Sequence, residues 1–157
     1  MMKHFYLLIL GAGLMLYTAG CGDNALNGSE QAAVDFYKEV WVEGDTNHSQ
    51  GMLDHVSESD DLQWRVEQTT SAERKNPPIM VTVSPTDSQM FEKTILIHRP
   101  SDKRDFKVRV RRTNGRWRVT KFEQNYDKQR GGYINNDAYQ RYQEEYPALT
   151  WKRVEQP

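Results

Sequence analysis

Three hydrophobic regimes follow one another along the chain. Phe5 to Tyr17 is an uncharged, mostly apolar run of thirteen residues. From Ser29 the period becomes helical: Ala33, Phe36, Tyr37, Val40 and Trp41 fall at i, i+3, i+4, i+7 and i+8, one apolar stripe. Ser29 is the expected N-cap, Glu30 suits the first turn, and Gly44 is a natural stop. A shorter helix over Ser49 to Val56 presents Met52, Leu53 and Val56. Residues 62–67 fit either a strand or a third helix, because Leu62, Trp64 and Val66 alternate with polar residues over a short stretch.

After Pro77-Pro78 the period is two. Ile79 to Ser84 reads as a strand, Pro85 to Ser88 as a turn, and Phe91, Ile95 and Ile97 as one face of the next strand. Arg99 to Arg104 is a polar connection, after which Phe106, Val108 and Val110 alternate with Lys107, Arg109 and Arg111. Asn114-Gly115 predicts a type I′ hairpin turn, since both central residues of that turn need positive φ. The two-residue loop sets Val110 opposite Val119 and Arg111 opposite Arg118, so one face of the hairpin is apolar and the other basic. Helices first and then an antiparallel meander with one covered face is an α+β pattern. The tail gathers Tyr126, Tyr133, Tyr139, Tyr142, Tyr146 and Trp151, and Asn136 to Tyr146 reads as a helix ended by Pro147. Tyr139, Tyr142 and Tyr146 share one side of it, either to pack back on the domain or to offer an aromatic surface to a glycan or protein partner.

Composition narrows the setting. The chain has 157 residues, enough for one domain, and its 37% hydrophobic and 11% aromatic content argue against disorder. A formal charge of −1 gives no global case for nucleic acid. The apolar run is too short for a permanent span, follows Lys3, and is succeeded by Thr18-Ala19-Gly20 and the single cysteine, Cys21. Thr18 to Cys21 resembles a bacterial lipobox: Ala19, Gly20 and Cys21 match it, and Thr18 stands where leucine is usual. The resemblance implies cleavage after Gly20, a diacylglycerol thioether on Cys21 and acylation (palmitate or similar) of the new N-terminus. It places the protein at the extracytoplasmic face of the cell membrane, held there by lipid. An uncleaved anchor helix or an ordinary secretory peptide are the other readings of the run.

The domain plan is then a signal peptide over 1–20, the lipidated cysteine with a flexible tether over 21–28, an α+β domain over 29–125, and a C-terminal extension with a short helix over 126–157. The element order over 29–125 resembles the NTF2-like and cystatin-like domains of small bacterial lipoproteins. That likeness implies an amphipathic helix packed on a curved antiparallel sheet.

Charge carries the functional reading. Residues 99–121 hold ten basic residues against Asp102 and Asp105, while the rest of the mature chain is acidic. A molecule polarised in this way orients near charged surfaces. Lys107, Arg109, Arg111, Arg116 and Arg118 are the candidate surface for an anionic envelope polymer or an envelope protein; the plain alternative is a solvated edge that discourages aggregation. Chemistry has little to stand on. Asp54 and His55 are neighbours expected to point apart on a helix, and His48 and His55 lack a third ligand at suitable spacing. No catalytic residue, metal or cofactor is assigned. The expected role is a non-catalytic binding or accessory module; the alternative is a small-molecule binder or enzyme with a pocket between helix and sheet. A cone filled by Phe36, Trp41 and Trp117 favours the binding module, and buried polar groups lining a cavity favour the alternative.

Overall fold

The computed structural model describes residues 25–55, 62–63, 65–66, 76–125 and 138–157. Ala19, Gly20, Cys21, Val56, Tyr126, Tyr133 and Asn136 lie outside the described residues.

The first helix, α1, spans Gly28–Lys38. Its N-cap is Asn27, not Ser29: the Asn27 side chain accepts from the Ser29 and Glu30 backbone N–H groups, and the Glu30 carboxylate accepts from the Asn27 N–H at 2.8 Å. That reciprocal pair is a capping box with asparagine in the serine role. Leu26, just before it, already packs against the core, so the expected tether is docked from that residue on. The helix continues as a π-helical turn, Glu39–Glu43, and ends on Gly44 at φ 68°. The conformation is cheap only for glycine, which is why the stop was visible. Helix α2, Thr46–Met52, is capped by Asp45, whose carboxylate accepts from the His48 N–H at 3.0 Å. It starts earlier than the expected Ser49 because an aspartate lies upstream to satisfy the free amides. Ser49 is instead buried, donating to the Asp45 carbonyl at 2.6 Å. Residues 62–63 and 65–66 are helical, which settles that segment against the strand.

Five strands follow: β1 Ile79–Val83, β2 Glu92–Arg99, β3 Arg104–Thr113, β4 Arg116–Asn125 and β5 Lys152–Val154. They form one antiparallel sheet in the order β4-β3-β2-β1-β5, with α3, Ala138–Glu145, between β4 and β5 in the chain. The molecule is thus α+β. Strand β5 was not anticipated, because three residues are too few to show alternation; it pairs Val154 with Ile79 and Lys152 with Val81.

Helix α1 lies across the sheet, touching β1 through β4. Its stripe of Ala33, Phe36, Tyr37, Val40 and Trp41 meets Ile79, Val81, Ile95, Ile97, Phe106, Val108, Val110, Val119 and Phe122, all buried. The rings interlock: Tyr37 and Trp41 each lie 4.9 Å from Phe106, and Phe36 lies 5.1 Å from Phe122. Phe91, expected on this face, is instead 67% exposed, since it precedes the first residue of β2.

The hairpin forms as expected. Asn114 and Gly115 have φ 50° and 79°, and Val110 pairs with Val119, Arg111 with Arg118. Four residues on, the register slips: Arg109 pairs with Lys121, leaving Thr120 as a bulge. Because side chains alternate faces, Val119 and Phe122 would otherwise point opposite ways; the extra residue turns both into the core.

Candidate functional site

The bulge also builds the outer face of the hairpin. Lys107, Arg109 and Arg111 on β3 oppose Glu123, Lys121 and Arg118 on β4, all away from the core. Two directly opposed pairs, Arg111 with Arg118 and Arg109 with Lys121, carry like charge, an arrangement that is unfavourable across a ladder. Acids interleave to relieve it. Glu92 lies 3.9 Å from Arg109 and 3.5 Å from Arg111, Asp54 lies 3.8 Å from Arg111, and Glu123 lies 2.8 Å from Lys121. Arg118 donates to the Gly51 carbonyl at the end of α2. Arg116 stands exposed at the turn. The five candidate residues are therefore on one hairpin, but as a mixed ladder rather than a bare basic plate. Pairs this exposed contribute little to stability and leave the guanidinium faces available to solvent.

Two other cations of the basic run, Arg99 and Arg104, are committed elsewhere. Arg99 is buried, donates to both Asp102 carboxylate oxygens at 2.9 and 2.8 Å and to the Tyr37 hydroxyl at 3.1 Å, and sits 5.0 Å over the Phe106 ring. Arg104 shares the same carboxylate at 3.1 Å. Burial pushes the Asp102 carboxyl up, but Arg99 and Arg104 together more than offset this and hold it below the usual carboxylate range. This cluster braces the turn at the far end of the sheet.

Beside the basic ladder, the outer face of β1 and β2 is covered by the tail. His98 stacks on Tyr139 at 4.3 Å, Tyr139 meets Trp151 edge-on at 4.7 Å, and Leu96 packs with Tyr142 and Trp151. The Thr82 hydroxyl donates to the Thr150 carbonyl at 3.0 Å. Under this cover His98 Nδ1 lies 2.7 Å from Asp105 Oδ1, across the β2–β3 ladder, and both side chains are buried. Burial raises the Asp105 carboxyl above its ordinary value, with His98 opposing the shift. The pair has acid–base composition but is roofed by the Tyr139 ring, which leaves no room above His98 for a substrate. Sequence reading missed it, since cross-strand register rather than spacing brings residues 98 and 105 together.

His48 and His55 are surface groups. Asp54 and His55 lie past the end of α2, so the helical reason for their pointing apart does not apply, and their side chains approach to 3.5 Å. Asp54 is already used by Thr113, which donates to it at 3.1 Å, and by Arg111. His48 acquires neighbours that spacing had not offered: the π-helical turn brings Glu39, Asp45 and His48 ligand atoms within 4.8 Å of one another. Glu39 Oε1 lies 3.1 Å from His48 and one Asp45 oxygen caps α2, while Glu39 Oε2 is buried without a hydrogen-bond partner.

Among the described residues, a groove of about 160 Å³ runs between the helices and the turn, lined by Ala32, Gly51, Met52, Trp117 and Arg118 among others. A smaller crevice lies among Lys107, Arg109, Lys121 and Glu123. No described helix is long and apolar enough to cross a membrane. No protein family matches the chain, and no curated protein or solved structure matches it at a significant level.

Proposed function

We propose that this is a lipid-anchored domain at the extracytoplasmic face of a bacterial cell membrane, acting by binding an anionic envelope polymer or an acidic envelope protein rather than by chemistry. The leader and Cys21 carry the anchor in this reading; Ala19 and Gly20 mark the cleavage site. The domain is NTF2-like or cystatin-like in its helix-on-sheet arrangement. Such folds take small ligands in the cone between helix and sheet, and the observation that favours surface binding here is the filling of that cone. Phe36, Tyr37, Trp41, Phe106 and Phe122 are in mutual ring contact there. Trp117, named for the same cone, sits at its rim against Gly28. With the interior occupied, the hairpin face is the surface we assign to the partner.

The opposed like charges on that face give the partner its sign. An anion placed over Arg111 and Arg118, or over Arg109 and Lys121, relieves repulsion that the free protein carries. The test is capture from native membranes by the full lipidated chain against its Arg109→Glu, Arg111→Glu, Arg118→Glu variant. Three cations at roughly 1 kcal/mol each correspond to about a 100-fold loss of affinity. Undiminished capture by a variant with an unchanged melting temperature contradicts the proposal.

A further inference from the structure

The place where the tether joins the domain determines which end of the molecule can meet a bilayer. Leu26 packs on the core, and a Cβ on Gly28 would lie 3.1 Å from Trp117 Nε1, next to the hairpin turn. Five peptide units separate Cys21 from Leu26, which bounds their separation at about 18 Å even when fully extended. Whatever path those residues take, a lipid on Cys21 keeps the Trp117 end of the sheet near the membrane. The Arg99–Asp102 turn is at the other end of the strands.

That same end carries the two exposed large apolar side chains found among the described residues. Met90 is 77% exposed and Phe91 is 67% exposed. They are in line with the tether junction: the Arg112 N–H donates to the Phe91 carbonyl at 2.8 Å, and Arg112 pairs with Trp117 across the hairpin. Arg112 and Arg116 are exposed beside them, and Lys93 is half-buried one step along β2. The nearby acids are engaged: Asp87 accepts from the Thr94 N–H, and Glu92 lies against Arg109 and Arg111. Two bare apolar side chains with two exposed arginines at the same end of the sheet suit an interfacial contact, with the Met90 and Phe91 side chains in the acyl boundary and guanidinium groups at phosphate level.

We infer that the rim formed by Met90, Phe91, Arg112 and Arg116 rests on an anionic phospholipid surface and holds the domain in one orientation on it. The inference rests on the lipid-anchored reading and adds the docking surface and its partner. The basic ladder of β3 and β4 is then a separate surface from this rim.

Hydrogen exchange of the full chain on phosphatidylglycerol-containing vesicles, compared with the same chain in neutral detergent, tests it. Residues 86–91 and 114–115 are loop or turn, so their amides report new cover directly. The expected result is slowing of about tenfold or more there and none at 100–103. It is lost in Met90→Glu, Phe91→Glu, whose sites are exposed and whose fold is therefore retained, and reduced on phosphatidylcholine vesicles. Equal exchange on vesicles and in detergent, or equal slowing at both ends of the sheet, overturns the inference. Slowing that appears in native membranes but not on pure lipid overturns it in favour of a protein partner. The intact mass of the same sample reports the state of Cys21, so loss of the rim contact and loss of the lipid are separate results.

Discussion

At the scale of single residues, the least comfortable group is Asp105. Its carboxylate is buried, one oxygen meets His98, and Oδ2 has no hydrogen-bond partner. Burial raises its pKa above the ordinary value, so the folded state takes up a proton more readily than the unfolded chain. The sign follows: whatever stability Asp105 permits is fully present at acid pH and declines as pH rises through the raised pKa. Asp105→Asn removes that titration. Relative to the variant, the wild type is therefore expected to lose stability as the pH moves up out of the carboxylate range. Paired urea melts at acid and neutral pH measure this; a difference independent of pH contradicts the assignment. Little of this was legible in the sequence, because His98 and Asp105 are brought together by register and Tyr139 is folded over them from the tail. The same holds for Glu39, Asp45 and His48, assembled by a π-helical turn that no spacing rule anticipates. Asn27 was readable, with glutamate three residues on, but Ser29 offered a rival cap nearer the apolar stripe.

At the scale of elements, the strongest local signals were the most dependable. The stripe from Ala33 to Trp41 is buried because helical spacing puts it on one side, and α1 has a single face to cover. The Asn114-Gly115 turn gave both the hairpin and its pairing up to the bulge. Gly115 has open space where a Cβ would go but φ 79°, so Gly115→Ala is expected to cost about 1 kcal/mol through backbone conformation alone. Chemical denaturation reads that value. A neutral substitution implies that the turn is not type I′. The bulge at Thr120 was hidden, although its trace is present: apolar residues on β4 fall at 117, 119 and then 122, a step of two followed by three. Strand β5 was hidden for a different reason. Its three residues have no pattern of their own and gain their conformation from the open edge of β1.

At the scale of the whole molecule, one sheet presents three surfaces to three environments. Its inner face is sealed by α1, half of its outer face is roofed by the aromatic tail, and the other half is left to a ladder of cations and acids. The basic run read from the sequence divides accordingly. Arg99 and Arg104 brace a turn through Asp102, while Lys107, Arg109, Arg111 and Arg118 line the ladder and Arg112 and Arg116 lie at the hairpin-turn end. The proposed roles of the ladder and of the rim both rest on the chain being held at a membrane by its N-terminus, so the anchor is the claim to test first. Intact-mass measurement of the protein taken from its native membrane does so. The account predicts a chain that begins at Cys21 and carries a diacylglycerol thioether, with or without an N-acyl group. An unprocessed chain with Met1 present and the Cys21 thiol bare would contradict it.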